Sequence, residues 1–261
     1  MRICLVGLFF IANSCFGQKG WEAEIMPGIS SYTGDLTQTT FPIHTIQPSV
    51  SANLKYNTGD FINVRLGFAW GIVSGNDKYN PEWDLKGRNL SFKSTILEGN
   101  ICLELNLADP DVYYSYPYLF GGIGVFHFNP YAYDSSNNKV YLQPLSTEGE
   151  GLSQYPSVKN YSLTQICLPF GGGWKIKVHD NFTITFEAGI RYLFTDYLDD
   201  VSGKYVDRET LLLAKGQQAV QMAFRATFPI TAGDPRGNPK VKDMYAFGGI
   251  KFGFYLGRKK E

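Results

Sequence analysis

The segment that decides the fold runs from Phe182 to Phe194 and reads FTITFEAGIRYLF. Every second residue in it is apolar, and the residues between them, from Thr183 to Arg191, are polar or glycine. This strict alternation places the two sets on opposite faces of a β-strand. The segment Phe61–Ile72, FINVRLGFAWGI, repeats the pattern. Both segments predict long strands with one continuous apolar face.

The chain contains eight segments of this kind, and their spacing indicates a barrel. Long connections at 33–47, 73–90, 129–160 and 195–244 alternate with short ones at 57–60, 108–116 and 179–181. Bacterial outer-membrane barrels have this pattern, with short periplasmic turns and long outer loops. We therefore predict an all-β fold, an eight-stranded antiparallel transmembrane (outer-membrane) β-barrel with long extracellular loops. A soluble β-sandwich or lipocalin-like barrel is the alternative. The strands are predicted at Trp21–Tyr32, Pro48–Tyr56, Phe61–Ile72, Thr95–Leu107, Pro117–Phe128, Thr164–Val178, Phe182–Phe194 and Tyr245–Leu256. Pro117–Phe128 is apolar on both faces, so its facing stays open.

The first residues have the layout of a targeting segment. A positive start at Met1–Arg2 precedes the apolar run Ile3–Ala12 and small residues up to Gly17. This layout predicts a cleaved signal peptide over 1–17 and a barrel domain over 18–261, exported to the cell outer membrane. A retained anchor and a lipoprotein cut before Cys15 are the alternatives. Cleavage would leave Cys102 and Cys167, which we expect as free thiols near opposite ends of the barrel.

The amino-acid composition limits the kinds of partner that we expect the protein to bind. The chain has 24 Lys and Arg against 24 Asp and Glu, so no basic excess points to nucleic acid. Aromatic residues make up 15 % and fall near predicted strand ends, where rings suit the headgroup region of outer-membrane lipids. We predict a periplasmic belt of Trp21, Tyr56, Phe61, Tyr113, Tyr114, Tyr116, Phe182 and Tyr255. The predicted outer belt is Tyr32, Trp70, Phe92, Phe128, Tyr131, Tyr161, Tyr192 and Phe194.

Charged residues on the strands all share the face opposite the apolar one. A charge that faces lipid at mid-membrane costs about 2–4 kcal/mol, so these residues are expected inside. An eight-stranded lumen is only wide enough for side chains to fill, which favours a paired network over a conduction path. The predicted lumen charge network comprises Glu22, Glu24, Lys55, Arg65, Glu98, Glu104, Lys175, Glu187, Arg191 and Lys251.

Catalytic and metal-binding patterns are weak. His127 lies near the outer rim without a serine at alternate spacing, as a lipid hydrolase would need. The acidic stretch Thr195–Val201 lacks the spacing of a calcium loop and is interpreted as a solvated or salt-bridged loop. The glycine run Gly171–Gly173 is interpreted as a barrel bend, and Thr210–Phe228 as helix-compatible. We predict no catalytic, cofactor-binding or metal site and no small-molecule substrate.

Seven stretches, in order along the chain, resemble the PorG-type outer-membrane barrels of the type IX protein secretion machinery. They are Tyr32–Leu36, Arg88–Phe92, Pro117–Phe126, Leu142–Gly151, Tyr161–Gln165, Thr195–Val201 and Arg236–Gly237. The resemblance implies a non-enzymatic barrel that anchors or docks a periplasmic ring, with the ring lipoprotein as partner. The alternative is a general surface or adhesion barrel that binds extracellular ligands through its long outer loops.

Overall fold

The computed structural model describes residues 19–37, 43–59 and 61–256. The predicted signal peptide, residues 1–17, lies outside the described residues. Ten strands are present within the described ranges, and eight of them form the barrel. The barrel strands are β1 (Gly20–Thr33), β2 (Gln47–Asn57), β3 (Ile62–Asn76), β4 (Ser91–Asn106), β5 (Ser115–His127), β8 (Thr164–His179), β9 (Phe182–Leu193) and β10 (Met244–Tyr255). A small hairpin, β6 (Tyr131–Tyr133) and β7 (Lys139–Tyr141), lies in a loop.

The barrel closes by simple sequential pairing. Each barrel strand pairs antiparallel with the next, and β10 pairs back to β1, with Glu22 opposite Tyr255 and Thr33 opposite Met244. The predicted eight-stranded antiparallel barrel is therefore confirmed. β3 and β4 extend further than predicted, to Asn76 and from Ser91.

Connections define two ends of the barrel. We call the end with connections 34–46, 77–90, 128–163 and 194–243 the long-loop end. The end with connections 58–61, 107–114 and 180–181 is the short-turn end. The long loops contain α1 (Trp83–Arg88), α2 (Arg208–Lys215) and α3 (Gln217–Ala223), and 3-10 turns at Ile43–Thr45, Asp77–Tyr79 and Gln143–Leu145. None of the helices in the described ranges is long and apolar enough to cross a membrane.

The structure settles the facing of β5. Tyr116, Tyr118, Phe120 and Phe126 are buried in the lumen, on the same face as Gly122 and Gly124, and the alternate residues, such as Leu119 and Ile123, face outward. The glycine run of β8 makes room for these rings. A Cβ on Gly171 would lie 2.9 Å from the Phe120 ring and 2.3 Å from the Ala188 carbonyl oxygen.

The long loops fold over the mouth of the barrel into a packed layer, which we call the cap: residues 32–37, 77–92, 128–163 and 194–243. Its apolar core joins rings from the strand ends, such as Tyr32 and Phe128, to loop residues such as Leu198 and Val201. A second cluster packs α2 and α3 through Leu211 and Val220, among others. The helical prediction for Thr210–Phe228 holds as far as Ala223.

The cap corrects the predicted outer aromatic belt. Tyr32, Phe92, Phe128 and Tyr161 are buried in the apolar core of the cap, whereas Tyr192 and Phe194 are exposed. Tyr131 lies apart from them, on the β6–β7 hairpin. Tyr116, assigned to the periplasmic belt, is also buried. The reason is that Tyr32 and Tyr116 lie on the inward parity of their strands, and the other buried rings pack against the loops above the mouth.

Candidate functional site

The ten charged residues predicted for the lumen all lie inside the barrel. Each is less than a tenth exposed, although Glu187 retains 8 %. Their positions alternate along the strands with the outward apolar residues, as the pleat of a β-strand requires. The structure brings eight of them into one cluster and leaves two as a separate pair.

Glu104 lies at the centre of the cluster of eight. Its carboxylate oxygens are 2.8 Å from Arg65 Nη1, 3.6 Å from Lys175 Nζ, 3.8 Å from Lys55 Nζ and 3.9 Å from Lys251 Nζ. One acid thus contacts four cations that come from four different strands. An arrangement of this kind links the strands across the lumen through charge alone.

The remaining acids of the cluster complete its balance. Lys55 Nζ lies 2.9 Å from Glu22 Oε2 and 2.5 Å from Glu24 Oε1, and Lys251 Nζ lies 3.3 Å from Glu24 Oε2. Glu187 is 2.7 Å from Arg65 Nη1 and also contacts Lys251. The cluster therefore has four acids and four bases, so its formal charges sum to zero within the buried lumen.

Glu98 and Arg191 form the separate pair, higher in the barrel. Arg191 Nε lies 3.0 Å from Glu98 Oε2, and the same oxygen accepts a 2.7 Å hydrogen bond from the Tyr245 hydroxyl. The Arg191 guanidinium also lies over the Phe247 ring, 4.6 Å from its centroid. The formal charges of this pair also sum to zero. Through Tyr245 and Phe247, the pair contacts the apolar core of the cap.

Both cysteines are free and buried, as the spacing predicted. Their placement differs from the expectation, however. Cys102 pairs with Gly122, and Cys167 with Gly124, on the two sides of β5. One strand separates the cysteines rather than most of the length of the barrel.

The cap buries a second set of charges that the sequence analysis missed. Two buried arginines, Arg88 and Arg236, accompany the carboxylates there. The buried acids of the cap are Asp77, Glu148, Glu150, Asp196, Asp199, Asp200 and Asp243. Unlike the lumen, the cap thus holds many more buried acids than buried bases.

The two arginines connect the long loops. Arg88 donates to both carboxylate oxygens of Asp77, at 2.8 and 2.6 Å, and to the carbonyl oxygens of Asp35 and Arg236. Arg236 donates through Nη1 to Glu148 Oε1 at 3.0 Å and to the Asp200 carbonyl at 2.5 Å. Through these bonds the two guanidinium groups join all four long loops.

Backbone amides and hydroxyls bind the acids that lack a cation. Asp199 accepts from the Tyr32 hydroxyl at 2.5 Å and from Val201 N at 2.9 Å. Asp243 accepts from the same hydroxyl at 3.2 Å and from Leu198 N at 2.9 Å.

The stretch Thr195–Val201 is therefore buried rather than solvated. The salt-bridged form of the prediction holds, because Asp196 pairs with Lys242 at 3.2 Å and Asp200 with Arg236 at 3.8 Å. The described residues contain no group of His, Cys, Asp and Glu side chains that could hold a metal ion.

Burial raises the pKa of several carboxyl groups in the cap, and neighbouring acids add to the effect. Burial, followed by the charges of Asp200 and Glu148, raises the pKa of Glu150 to about 8. Burial also raises the pKa of Asp200 to about 6 and that of Asp35 to about 6. Burial raises the pKa of Asp199 and of Asp243 well above the usual range. The charge of Asp35 raises the pKa of Asp199 further, and the charge of Asp199 raises that of Asp243. These carboxyl groups therefore release their protons at a higher pH in the folded cap than they would in water.

The remaining sequence candidates do not assemble into a catalytic site. His127 is exposed, and its Nδ1 lies 3.0 Å from the Thr164 hydroxyl rather than from a serine. The signal that could have revealed the cap is the adjacency of Asp199 and Asp200 to apolar Leu198 and Val201. Acids placed between apolar residues in a loop indicate a buried turn.

The short-turn end presents a different surface. Val112, Tyr113 and Tyr114 of the turn after β4 and Val178 of β8 are exposed, Tyr114 by 77 %. They border a groove of about 400 Å³ that Lys177 and Asp180 also line. Lys177 Nζ donates to the Pro110 carbonyl, which holds the two turns together.

A comparison with known protein families identifies the family of this chain. The family described as "Domain of unknown function (DUF6089)" matches residues 2–217, so the chain belongs to this family. No curated protein matches the chain.

Several solved structures are similar to the chain at low identity. Neisserial surface protein A is 8 % identical over 91 % of this chain and 97 % of its own, with a TM-score of 0.46. Ail of Yersinia pestis, in complex with the heparin analogue sucrose octasulfate, is 10 % identical over 90 % and 97 %, with a TM-score of 0.41. Outer membrane protein OprG of Pseudomonas aeruginosa is 11 % identical over 92 % and 99 %, with a TM-score of 0.39. A closed eight-stranded antiparallel barrel with an apolar outer face is the fold of the small outer-membrane barrels.

Proposed function

We propose that this member of the DUF6089 family is a non-enzymatic β-barrel of the outer membrane that belongs to the type IX protein secretion machinery. Its barrel anchors it in the lipid, and its short-turn end docks the periplasmic ring through the ring lipoprotein. The single observation that carries the membrane part is the apolar exterior of the barrel.

That exterior supports a lipid environment. Large apolar side chains are exposed on all eight barrel strands, including Leu66, Leu103, Ile123 and Phe186. The barrel strands are 11 to 16 residues long, whereas a tilted strand needs about 9–11 to cross a bilayer. A continuous apolar band of this height is much larger than the patches that soluble monomers expose.

Loop length supports the orientation. Short turns of outer-membrane barrels face the periplasm, so the exposed Tyr113 and Tyr114 would face the ring. Aromatic side chains are enriched at the core of protein interfaces because they bury a large area with little loss of rotamer freedom. The groove between the two short turns is a docking surface of suitable chemistry for a protein partner.

The resemblance to PorG-type barrels supports the secretion role. Six of the seven resembling stretches lie in the cap or reach it from the adjoining strand ends, and they contact one another. Tyr32 binds Asp199, Tyr161 binds Asp200, and Arg88 binds the Arg236 carbonyl. These stretches thus share one structural task, which is to build a closed cap over the barrel.

Site-specific photo-crosslinking tests the docking surface. A photoreactive phenylalanine analogue replaces Tyr114 at the short-turn end or, as the matched control, Tyr133 on the β6–β7 hairpin, which is also exposed. We expect the ring lipoprotein to crosslink from position 114 and not from position 133. Deletion of the gene should also abolish bulk secretion by the type IX route.

Normal secretion by the deletion strain would overturn the secretion role, whatever the crosslinks show. If secretion is normal and adhesion to surfaces changes, the general surface or adhesion barrel is the better description. If deletion abolishes secretion but no lipoprotein crosslinks from position 114, the role in the secretion machinery stands. The proposal that the short-turn end is the docking surface would then be wrong.

A further inference from the structure

A pocket on the outer wall of the barrel, at the long-loop end, is not used by the proposed docking role. It has a volume of about 280 Å³ and lies between the 3-10 turns at Ile43–Thr45 and Asp77–Tyr79, the adjoining ends of β3 and β4, and β6. Two lysines, Lys78 and Lys93, line it together with serine, asparagine and tyrosine residues. None of the described residues that line it is Asp or Glu. We call this site the rim pocket.

The rim pocket lies on the lipid-facing side of the wall. Lys93 alternates along β4 with Phe92 and Ser94, which are almost fully buried, so the Lys93 side chain points outward. Lys93 pairs with Ser74 of β3 and with Tyr131 of β6. Because directly paired residues share one face of a sheet, these three residues form an outward surface.

The rim pocket begins where the apolar band of the barrel ends. The outward residues of β3 are apolar from Ile62 to Ile72. At about 3.3 Å per residue and a tilt of about 40°, this stretch spans about 25 Å along the membrane normal, which matches the apolar band of outer-membrane barrels. Ile72 pairs with Thr95, and the next outward pair is Ser74 and Lys93. The rim pocket therefore lies at the level of the lipid headgroups.

The lysines of the rim pocket have no carboxylate partner. On the outward positions of the eight barrel strands, as far as the structure describes them, Lys93 is the one Asp, Glu, Lys or Arg residue. Outside the lumen, the cations that form salt bridges in the described part of the chain are Arg88, Arg236 and Lys242. Of the acids close by in the chain, Asp77 binds Arg88, and Asp134 accepts from backbone amides of its own turn. Lys78 and Lys93 can therefore bind an anion from outside.

Aromatic rings flank these cations. Lys78 Nζ lies 4.6 Å from the centroid of the Tyr79 ring, and the His44 ring stacks on Tyr79 with the centroids 4.8 Å apart. Lys139 Nζ lies 3.9 Å from the centroid of the Tyr131 ring and adds a third cation beside the pocket. Tyrosine rings are enriched at the headgroup level because they have an apolar body and a polar rim. The residues of the rim pocket thus suit the boundary between acyl chains and headgroups.

We propose that the rim pocket binds the phosphate group of an anionic lipid in the outer leaflet. The phosphate oxygens accept from Lys78 and Lys93, and the acyl chains lie below them against Ile72 and Leu97 on the outward face. A lipid is favoured over a soluble anion because an apolar wall continues directly beneath the cations. The inference rests on the membrane part of the proposed function and not on the secretion role.

Quenching of tryptophan fluorescence by brominated lipids tests the proposal. Trp70 pairs with outward Leu97 below the pocket, whereas exposed Trp174 pairs with Pro117 near the short-turn end. Full-length variants that keep only Trp70 or only Trp174 are folded into phosphatidylcholine vesicles with a small fraction of brominated lipid. That lipid is either phosphatidic acid, which carries a phosphate monoester, or phosphatidylcholine, which has no net charge.

We expect brominated phosphatidic acid to bind beside Trp70 on the order of tenfold more strongly than brominated phosphatidylcholine. The physical reason is that each lysine near an anionic headgroup contributes roughly fivefold in affinity. Inorganic phosphate, added at constant ionic strength, should not displace the lipid, because a free anion has no chains to lie against the wall.

Lys93→Gln provides the sharpest variant. It breaks no ion pair, so the barrel should fold as before, and the preference for phosphatidic acid at Trp70 should fall roughly fivefold. Lys78→Gln should lower the preference further. Lys159→Gln is the matched control, because it removes the same charge from an exposed position of a long loop that does not line the pocket. This control should leave the preference unchanged.

Three results would overturn the proposal. One is equal quenching of Trp70 by the two brominated lipids. A second is an equal loss of preference in Lys93→Gln and Lys159→Gln, as general attraction of anionic lipid to the long-loop end would cause. The third is displacement by inorganic phosphate, which would show a site for a soluble anion.

Quenching of Trp174 by brominated phosphatidylcholine reports insertion of the barrel into the bilayer separately. If Trp174 is not quenched, the membrane part of the proposed function is wrong, and this proposal is wrong with it. If Trp174 is quenched and Trp70 shows no preference, this proposal alone is wrong.

Discussion

The lumen and the cap both bury charged side chains, but they balance those charges in different ways. The lumen holds five acids and five bases, and every one of them lies within 4 Å of an opposite charge. The cap holds seven buried acids and two buried arginines, and uses backbone amides, hydroxyls and retained protons for the remainder. The barrel interior thus balances charge by ion pairs between strands. In the packed loops, backbone N–H groups that are not used in a sheet can donate to the buried carboxylates instead.

The largest effect is expected from Glu104→Gln. It leaves four buried cations with one acid fewer, and breaking a buried ion pair typically costs about 3–5 kcal/mol. Urea unfolding in phospholipid vesicles would measure the loss in the free energy of unfolding. Glu82→Gln, an exposed acid without a side-chain cap bond, is the control. A loss as small as that of the control would mean that the lumen network does not stabilise the barrel.

Arg236→Met should weaken the cap by about 3 kcal/mol and leave the barrel folded, because it removes the cation between Glu148 and Asp200. Hydrogen exchange would show faster exchange of cap amides and unchanged exchange of strand amides. The control is Lys242→Met, whose partly exposed ion pair with Asp196 contributes less than about 1 kcal/mol. Simultaneous loss of protection in the barrel would show that cap and lumen unfold as one unit.

Changing pH should separate the two regions. The pKa of Glu150 is raised in the folded cap, so its stabilising effect is complete below its ordinary pKa and is lost as pH rises through about 8. We expect the cap to lose on the order of 2 kcal/mol between mildly acidic and alkaline pH. Hydrogen exchange, corrected for the intrinsic pH dependence, measures this change.

Glu150→Gln removes that titration and should flatten the pH dependence of the cap. Asp35 and Asp200, whose pKa values are raised to about 6, and Asp199 and Asp243, whose pKa values burial also raises, would retain the remaining pH dependence. A cap that becomes more protected as pH rises would contradict the assigned direction.

The smallest effect is expected from Tyr161→Phe. It removes the 2.7 Å hydrogen bond to Asp200 Oδ1, while Thr147 and Arg236 still contact that carboxylate. The expected cost is about 1 kcal/mol, again measured by exchange of cap amides. Tyr133→Phe serves as the control. A cost as large as that of Arg236→Met would show that hydroxyl donors, rather than the arginine, hold the acids of the cap.

The barrel could be predicted from the sequence because its signal is local and periodic. Glu187 lies between Phe186 and Ala188, and this position alone places it opposite the lipid-facing residues. Segments such as Phe182–Phe194 therefore predicted their own boundaries to within a residue or so. Segment Pro117–Phe128 stayed ambiguous because rings fill the lumen at Tyr118 and Phe120, so that both faces are apolar.

The cap could not be predicted in this way. Asp199 and Asp243 share the Tyr32 hydroxyl although more than forty residues separate the two acids, and no period in the sequence records that contact. Loops have no fixed repeat, so no periodic pattern in the sequence states which of their side chains are buried.

The sequence by itself determined the strand count, the closed order of the strands and which charges face inward, because alternation with period 2 fixes facing residue by residue. Only the tertiary structure decided which charges meet. It joined Glu104 to cations on four strands and closed the long loops into an acid-rich cap. The physical reason is that facing depends on the backbone of one strand, whereas pairing depends on distances between groups far apart in the chain.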